Sequence, residues 1–322
     1  MEQSVKSLFD LYLSCSDLAP SSVAIKRRAG RLFFELFGDM EPGKVTYSHA
    51  EGFRNRLAKN GRSRSTANIY FANFAPFFSW LVKSGHIRSN PFSQVKRFIV
   101  EEKDRPPYTP DEVSRMMMVS DERWQAMICL GLCSMRRSEI LNLVVRDIYF
   151  DKEYIVISSK QDSKTTWRWQ PKNHITGAIV PCPEVVELPE TTIFLHQILM
   201  KICDGRAVQP YVFIPPRWYE KNMFKAASGT LTFEERLNPC GNFSRDFTRV
   251  LKRASVVPRR FHDLRATIAT YMAGHLSLTK TQGIMRHRSP QTTTRYYVRH
   301  DRERLAAEGT KIVKNFMLHN VP

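Results

Sequence analysis

The chain has little that would mark a secreted, membrane-bound or zinc-binding protein. Its six cysteines are scattered, with no CxxC pair and no Cys/His cluster at zinc-finger spacing, so we expect reduced thiols and no metal site. No apolar run reaches the length of a membrane span, and the first residues form no apolar signal-peptide core. These absences predict a soluble cytoplasmic protein.

The motifs of nucleotide-driven and metal-driven catalysis are also missing. The sequence contains no P-loop and no dense carboxylate cluster of the kind that Mg²⁺ sites need. We therefore expect no cofactor and a chemistry that needs neither ATP nor a metal.

Acidic residues are too few to balance the basic ones. Asp and Glu number 31 against 49 Lys and Arg, which gives a net charge of +18. Such an excess suits a polyanionic partner, most simply nucleic acid, although a basic surface that only aids solubility is the alternative. The length of 322 residues suggests two domains.

Residues 1–93 have the pattern of a helical domain. Amphipathic stretches cover residues 5–12, 22–37, 49–59 and 65–83, and Gly38, Gly61 and Gly85 follow the last three. The fourth stretch is strongly aromatic, which favours a buried core helix over a surface that stacks on bases. The polar residues 94–107, which end in Pro106 and Pro107, predict a linker.

A second domain is predicted over residues 108–322. Thr109, Pro110 and Glu112 form the pattern of a capping box with proline at the first helical position. Helix is expected over 124–143, strand over 149–159, and short strands over 165–170 and 178–181. After residue 189 the pattern is helical again, apart from a loop over 211–218. The predicted fold is mainly α with a small antiparallel sheet.

A set of widely separated residues suits phosphoryl transfer. Arg136 and Arg265 can each bind phosphate oxygens bidentately and stay charged. His262 and His287 can accept a proton or donate a hydrogen bond. Tyr296 can attack phosphorus and store the bond energy in a covalent phosphotyrosine.

The order and spacing of these residues resemble the tyrosine recombinases, or phage-integrase family. Residues 134–140 read Ser-Met-Arg-Arg-Ser-Glu-Ile, similar to the family's Gly-Leu-Arg-x-Ser-Glu-Leu box. His262 and Arg265 match its His-x-x-Arg box. His287 matches the histidine that the family places nine residues before its tyrosine, here Tyr296. Ser134 and Arg286 stand where the family usually has glycine.

The resemblance implies a fold and an activity. The fold would be a helical, SAM-like core-binding domain joined to a catalytic domain of the DNA breaking-rejoining type. The activity would be site-specific cleavage and rejoining of DNA through a 3′-phosphotyrosine, for integration or excision of a mobile element. The implied partners are double-stranded DNA, three further copies in a homotetramer, and accessory DNA-bending proteins, at the nucleoid. A type IB topoisomerase-like enzyme and an inactive DNA-binding relative are the alternatives.

The resemblance also implies a catalytic lysine in a β-hairpin. Lys172, in a Pro-Lys sequence before residues 179–181, is the favoured candidate. Lys160, at the end of the predicted strand 149–159, is its rival, and Lys164 is a third possibility.

Three further features leave alternatives open. Glu139 lies one helical turn after Arg136 and either braces the site or forms a surface ion pair. Residues 210–245 exceed a minimal family member and are a candidate insertion that touches DNA or a neighbouring subunit. Residues 301–318 predict a helix that packs on its own domain or on an adjacent protomer.

Overall fold

The structure is a computed structural model, and it describes residues 4–16, 18, 20–59, 61–100, 106–172, 176–204 and 209–294. The chain divides into two compact units, Met1–Asp104 and Arg105–Pro322. Each unit has its own hydrophobic core, and each is described by itself below. None of the helices in the described ranges is long and apolar enough to cross a membrane.

Amphipathic helices build the first unit: α1 (Val5–Cys15), α2 (Pro20–Phe37), α3 (Tyr47–Lys59) and α4 (Arg64–Lys83). Ser4 and Ser63 cap α1 and α4, since each hydroxyl accepts a hydrogen bond from a backbone N–H in the first turn. The helical character predicted for residues 1–93 is thereby confirmed over these ranges.

Aromatic side chains fill the core of this unit. The rings of Phe33 and Phe74 lie 4.9 Å apart, and those of Phe78 and Phe92 stack at 4.5 Å. In α4 the buried positions are Tyr70, Phe71, Phe74, Phe77 and Phe78. The prediction that this helix is a core element is confirmed.

The chain beyond residue 93 stays bound to this core for several residues. Val95 is buried. The side-chain amide of Asn68 accepts a hydrogen bond from the backbone N–H of Phe98 at 2.9 Å and donates one to its carbonyl oxygen at 2.8 Å. Arg54 donates to the carbonyl of Lys96 at 2.6 Å. The first part of the segment assigned to a linker therefore contacts the first unit.

The second unit begins with α5 (Pro110–Met118) and α6 (Glu122–Leu132). Thr109 and Glu112 form the expected capping box on α5, which confirms that prediction. Glu112 also forms an ion pair with Arg259, whose guanidinium lies over the ring of Tyr108. The start of this unit is thus attached to the segment that precedes His262.

One predicted helix is interrupted. The sequence suggested helix over residues 124–143, but α6 ends at Leu132 and α7 (Arg137–Leu141) starts afresh after a turn. Ser134 occupies the left-handed region with φ 70°, a conformation that an α-helix does not continue through.

Small antiparallel sheets follow α7. Strands β1 (Ile148–Tyr149), β2 (Tyr154–Ile157) and β3 (Ala178–Pro181) pair in the order β1-β2-β3, with Ile155 opposite Val180. The predicted strand over 165–170 is wrong apart from one bridge between Lys160 and Trp169. The helical pattern expected after residue 189 is wrong at its start, because β4 (Val185–Leu188) pairs with β5 (Thr191–Phe194).

Further helices complete the unit: α8 (Leu195–Cys203), α9 (Pro216–Ala227), α10 (Phe233–Leu237), α11 (Phe243–Arg253), α12 (His262–His275) and α13 (Leu278–Met285). The loop expected over 211–218 gives way to α9 at Pro216. The mainly helical fold with small antiparallel sheets is confirmed. The tail over 301–318 lies outside the described residues.

Candidate active site

Arg136 is presented by the turn between α6 and α7. Its backbone N–H donates to Oε2 of Glu139 at 2.8 Å, and its Nη1 lies 2.7 Å from Oε1 of the same carboxylate. The arginine side chain keeps 15% of its surface exposed. One glutamate therefore both caps α7 and holds the guanidinium at the mouth of the turn.

Glu139 itself is a buried residue, only 2% exposed. Burial alone would raise the pKa of this carboxyl, but the neighbouring charges of Arg286 and Arg136 outweigh burial and lower the pKa. A buried, ionised carboxylate that binds two arginines is not a surface ion pair. The alternative of a surface ion pair is therefore wrong, and the role of Glu139 as a brace stays a prediction.

His262 and Arg265 lie in the first turn of α12. The spacing of three residues places both side chains on one face, and Arg265 is 2% exposed. A Cβ on Gly131 of α6 would lie 3.1 Å from side-chain atoms of both Phe261 and Leu264. This close approach brings the start of α12 against the end of α6, and hence near the Arg136 turn.

His287 lies two residues after the end of α13. Its Nδ1 lies 3.0 Å from Oγ1 of Thr293, a buried residue, and its carbonyl accepts from Nε2 of Gln282 at 3.0 Å. Arg286, which ends α13, adopts the left-handed conformation with φ 52°. These contacts orient the imidazole ring, and no feature of the sequence had pointed to Thr293.

The charges of Arg136 and Arg265 act on both histidines. Partial burial and then the charges of Arg265 and Arg136 lower the pKa of His287 to about 4, with His262 and Arg286 acting in the same direction. His262 keeps an exposed surface, but desolvation by the surrounding protein and the charges of Arg265 and Arg136 likewise lower its pKa to about 4, against an opposing effect of Asp263. At neutral pH both imidazoles are therefore uncharged, in a site whose net positive charge suits a phosphate.

A model of the Phage integrase family matches residues 108–304. The chain belongs to the phage integrase family. The matched region covers more than half of the chain and contains Arg136, His262, Arg265, His287 and Tyr296.

Comparison with solved structures shows that the integrase fold extends over nearly the whole chain. The Tn1549 transposon integrase in complex with transposon right end DNA matches with a TM-score of 0.72 at 17% identity, over 97% of this chain and 100% of that chain. A lambda integrase dimer bound to a COC' core site matches with a TM-score of 0.65 at 16% identity, over 93% and 97%. A lambda integrase tetramer bound to a Holliday junction matches at 0.65 and 16%, over 92% and 77%. A comparison with curated proteins found no match.

Both departures of this integrase from the family's glycines now have a structural meaning. Ser134 and Arg286 are non-glycine residues with positive φ, at 70° and 52°. Glycine adopts that conformation without penalty. The two substitutions therefore keep the backbone that the family's glycines allow, and both side chains form new contacts that are taken up below.

The candidate lysines of the integrase occupy different environments between β2 and β3. Lys160 is 1% exposed, and its Nζ binds Asp147 Oδ2 at 2.7 Å and Ser158 Oγ at 2.7 Å. Burial lowers the pKa of Lys160, against the effect of Asp147. Lys172 and Lys164 are exposed. Tyr296 lies outside the described residues.

Proposed function

We propose that this integrase is a site-specific DNA recombinase that cleaves and rejoins DNA through a covalent 3′-phosphotyrosine. One observation carries the proposal: α6 packs against the start of α12, which carries His262 and Arg265, and Arg136 donates to the carbonyl that precedes His287. These residues are up to 151 positions apart in the sequence. The cationic side chains and neutral imidazoles of the candidate site suit a phosphodiester under attack.

In the proposed reaction, the phenol oxygen of Tyr296 forms a bond to phosphorus and the bond from phosphorus to the 5′ oxygen breaks. Arg136 and Arg265 bind the non-bridging oxygens, whose negative charge grows in the transition state. A neutral imidazole accepts the phenol proton, and a lysine donates a proton to the departing 5′ oxygen. Attack by a 5′ hydroxyl of another strand reverses these steps and rejoins the DNA.

We propose Lys172 as the proton donor. An exposed ammonium between β2 and β3 is free to reach a bound strand, whereas Lys160 would first have to leave Asp147 and Ser158. Lys164 is exposed as well and is the next candidate.

The partner of this chain is proposed to be double-stranded DNA that carries recombination sites, with four protomers in the synaptic complex. The net charge of +18 favours a polyanion. The lambda integrase has been seen as a tetramer on a Holliday junction, and the shared fold supports the same assembly here. Integration or excision of a mobile element, with accessory DNA-bending proteins, completes the proposal.

A suicide substrate tests the reaction. The full chain is incubated with DNA that carries a candidate recombination site with a nick beside the scissile phosphate, and the covalent adduct is measured. We expect an adduct from the intact protein and from Tyr297→Phe, and none from Tyr296→Phe, which should still bind the DNA. An adduct that Tyr297→Phe abolishes and Tyr296→Phe retains would reassign the nucleophile.

Assays of supercoil relaxation and of strand transfer between two sites, run beside the adduct assay, separate the alternatives. A topoisomerase-like enzyme relaxes supercoiled DNA without a preferred sequence and transfers no strand between two sites. An inactive DNA-binding relative forms no adduct with any substrate. Strand transfer between two copies of one site supports the recombinase.

A further inference from the structure

Arg286 makes contacts that a glycine at its position could not make. Its Nη2 donates to the carbonyl oxygen of Ser134 at 2.7 Å and to Oε2 of Glu139 at 2.9 Å. In return, Nη2 of Arg136 donates to the carbonyl oxygen of Arg286 at 3.1 Å. With the bond between Arg136 and Glu139, these contacts close a ring that joins the turn before α7 to the turn after α13.

The ring includes two of the four described non-glycine residues with positive φ, Ser134 and Arg286. Ser134 precedes Arg136 by two positions, and Arg286 precedes His287 directly. The left-handed backbone of Ser134 therefore helps to orient Arg136, and that of Arg286 helps to orient His287. Oγ of Ser134 also donates to the carbonyl of Ile284 at 3.3 Å. Both substituted side chains thus connect the turn before α7 to the C-terminal end of α13.

Burial distinguishes the roles of the two arginines. The side chain of Arg286 is 7% exposed and that of Glu139 is 1% exposed, whereas Arg136 keeps 15%. Both guanidiniums bind the Glu139 carboxylate and a backbone carbonyl, so exposure is what separates them. Arg136 is the more accessible of the two to a phosphate.

The charges in the ring leave a surplus. Arg136 and Glu139 alone would form a neutral pair, and that pair would attract a phosphate only weakly. Arg286 shares the carboxylate, so the three side chains together carry one net positive charge. Because Arg286 shares the Glu139 carboxylate, that carboxylate neutralises less of the positive charge of Arg136.

We propose that Arg286 is a positioning residue of this integrase, which holds Glu139 and through it aims Arg136 at the scissile phosphate while tying the Arg136 turn to the His287 turn. The inference rests on the proposed function, since it names a determinant of that same site. This positioning role differs from direct binding of the phosphate by Arg286, because a direct contact would not depend on Glu139.

A double-mutant cycle tests the dependence on Glu139. Single-turnover cleavage at saturating DNA is measured for Arg286→Gln, Glu139→Gln and the double variant. We expect Arg286→Gln to slow cleavage on the order of tenfold to a hundredfold, as a small misplacement of a catalytic group does. In the Glu139→Gln background the further loss should be under about twofold, because residues that act as a unit are not additive. Additive losses, or cleavage by Arg286→Gln at the rate of the intact protein, would overturn the inference.

Two variants serve as comparisons. Arg288→Gln removes the same charge from an exposed side chain two residues away, and its cleavage rate at saturating DNA should match that of the intact protein. Arg286→Lys retains the charge beside Glu139 and should recover part of the rate. Full recovery by lysine, together with an equal loss in Arg288→Gln, would point to general charge rather than to positioning and would overturn the inference.

A crystal structure of Arg286→Gln without DNA gives a readout independent of activity. We expect Glu139 to turn and the Arg136 guanidinium to move away from its place beside the residue 286 carbonyl. An unchanged Arg136 would refute the inference even if the intact protein forms no adduct. If the intact protein forms an adduct and Arg286→Gln leaves both Arg136 and the rate unchanged, only the inference fails and the proposed function stands.

Discussion

The Nζ of Lys160 lies 2.7 Å from Oδ2 of Asp147, and both side chains are buried. The same carboxylate accepts from the backbone N–H of Val144 at 3.3 Å. The ion pair therefore links the segment after β2 to the segment before β1. This geometry favours a structural role for Lys160 and leaves the exposed Lys172 as the candidate acid.

Replacement of each lysine by alanine separates the two roles. Lys172→Ala should cleave normal DNA slowly but recover on a 5′-bridging phosphorothiolate, because a thiolate leaves without a proton. Lys160→Ala should instead lower the free energy of unfolding by about 3–5 kcal/mol, since it leaves a buried charge unpaired. Urea denaturation and cleavage of both substrates check this. Recovery by Lys160→Ala alone would assign the acid to Lys160.

Loss of either site arginine should affect the chemical step more than DNA binding. Arg136→Ala and Arg265→Ala should each slow cleavage on the order of 10²-fold or more, as expected for a lost transition-state partner. Arg245→Ala, which removes an exposed arginine on α11, is the matched control and should cleave at close to the normal rate when DNA saturates the protein. EDTA should leave the rate of the intact protein unchanged. Near-normal cleavage by one of the two site variants would remove that arginine from the site.

The histidines should titrate well below the range usual for imidazole. In the free protein both His262 and His287 have pKa values of about 4, against about 6.5 for an unfolded chain. Between these values the unfolded state binds more protons, so stability is full above pH 6.5 and falls as the pH decreases towards 4. Carbon-detected NMR titration of the ring signals checks the values. Arg265→Gln should raise both, and a midpoint near 6.5 in the intact protein would contradict the charge arrangement.

Gly30 allows α1 and α2 to pack closely. A Cβ at this position would lie 2.4 Å from Cε1 of Phe9, a buried ring held among Phe34, Phe74 and Phe77. Gly30→Ala should therefore destabilise the protein by about 1–3 kcal/mol through overpacking, despite the better helix propensity of alanine.

Gly52→Ala is the matched control for that change. This glycine also lies inside a helix of the first unit, but its added Cβ would meet Phe37 at 3.4 Å, an ordinary contact. Its effect on denaturant unfolding of the full chain should be neutral or stabilising by up to about 1 kcal/mol. Equal effects of the two substitutions would show that Phe9 can move aside.

Local interactions were predictable from the sequence alone. The capping box of Thr109 and Glu112, the aromatic core helix α4 and the shared face of His262 and Arg265 all depend on residues within one or two helical turns. Propensity and periodicity report such contacts because they act over a few residues. The order of the boxes and their spacing likewise indicated the family before any coordinates.

Contacts between distant segments required the tertiary structure. The pair of Arg286 and Glu139 spans 147 positions. Nothing in the sequence indicated whether Glu139 is buried or whether Lys160 is bound to another side chain. Strands β4 and β5 were missed because each is four residues long and is stabilised by its partner rather than by its own propensity. The sequence alone determined which residues can carry out the chemistry. Tertiary packing decided which of these side chains are buried, which residues they bind and what net charge the site has. Burial and pairing depend on segments that are distant in the sequence and that only the fold brings together.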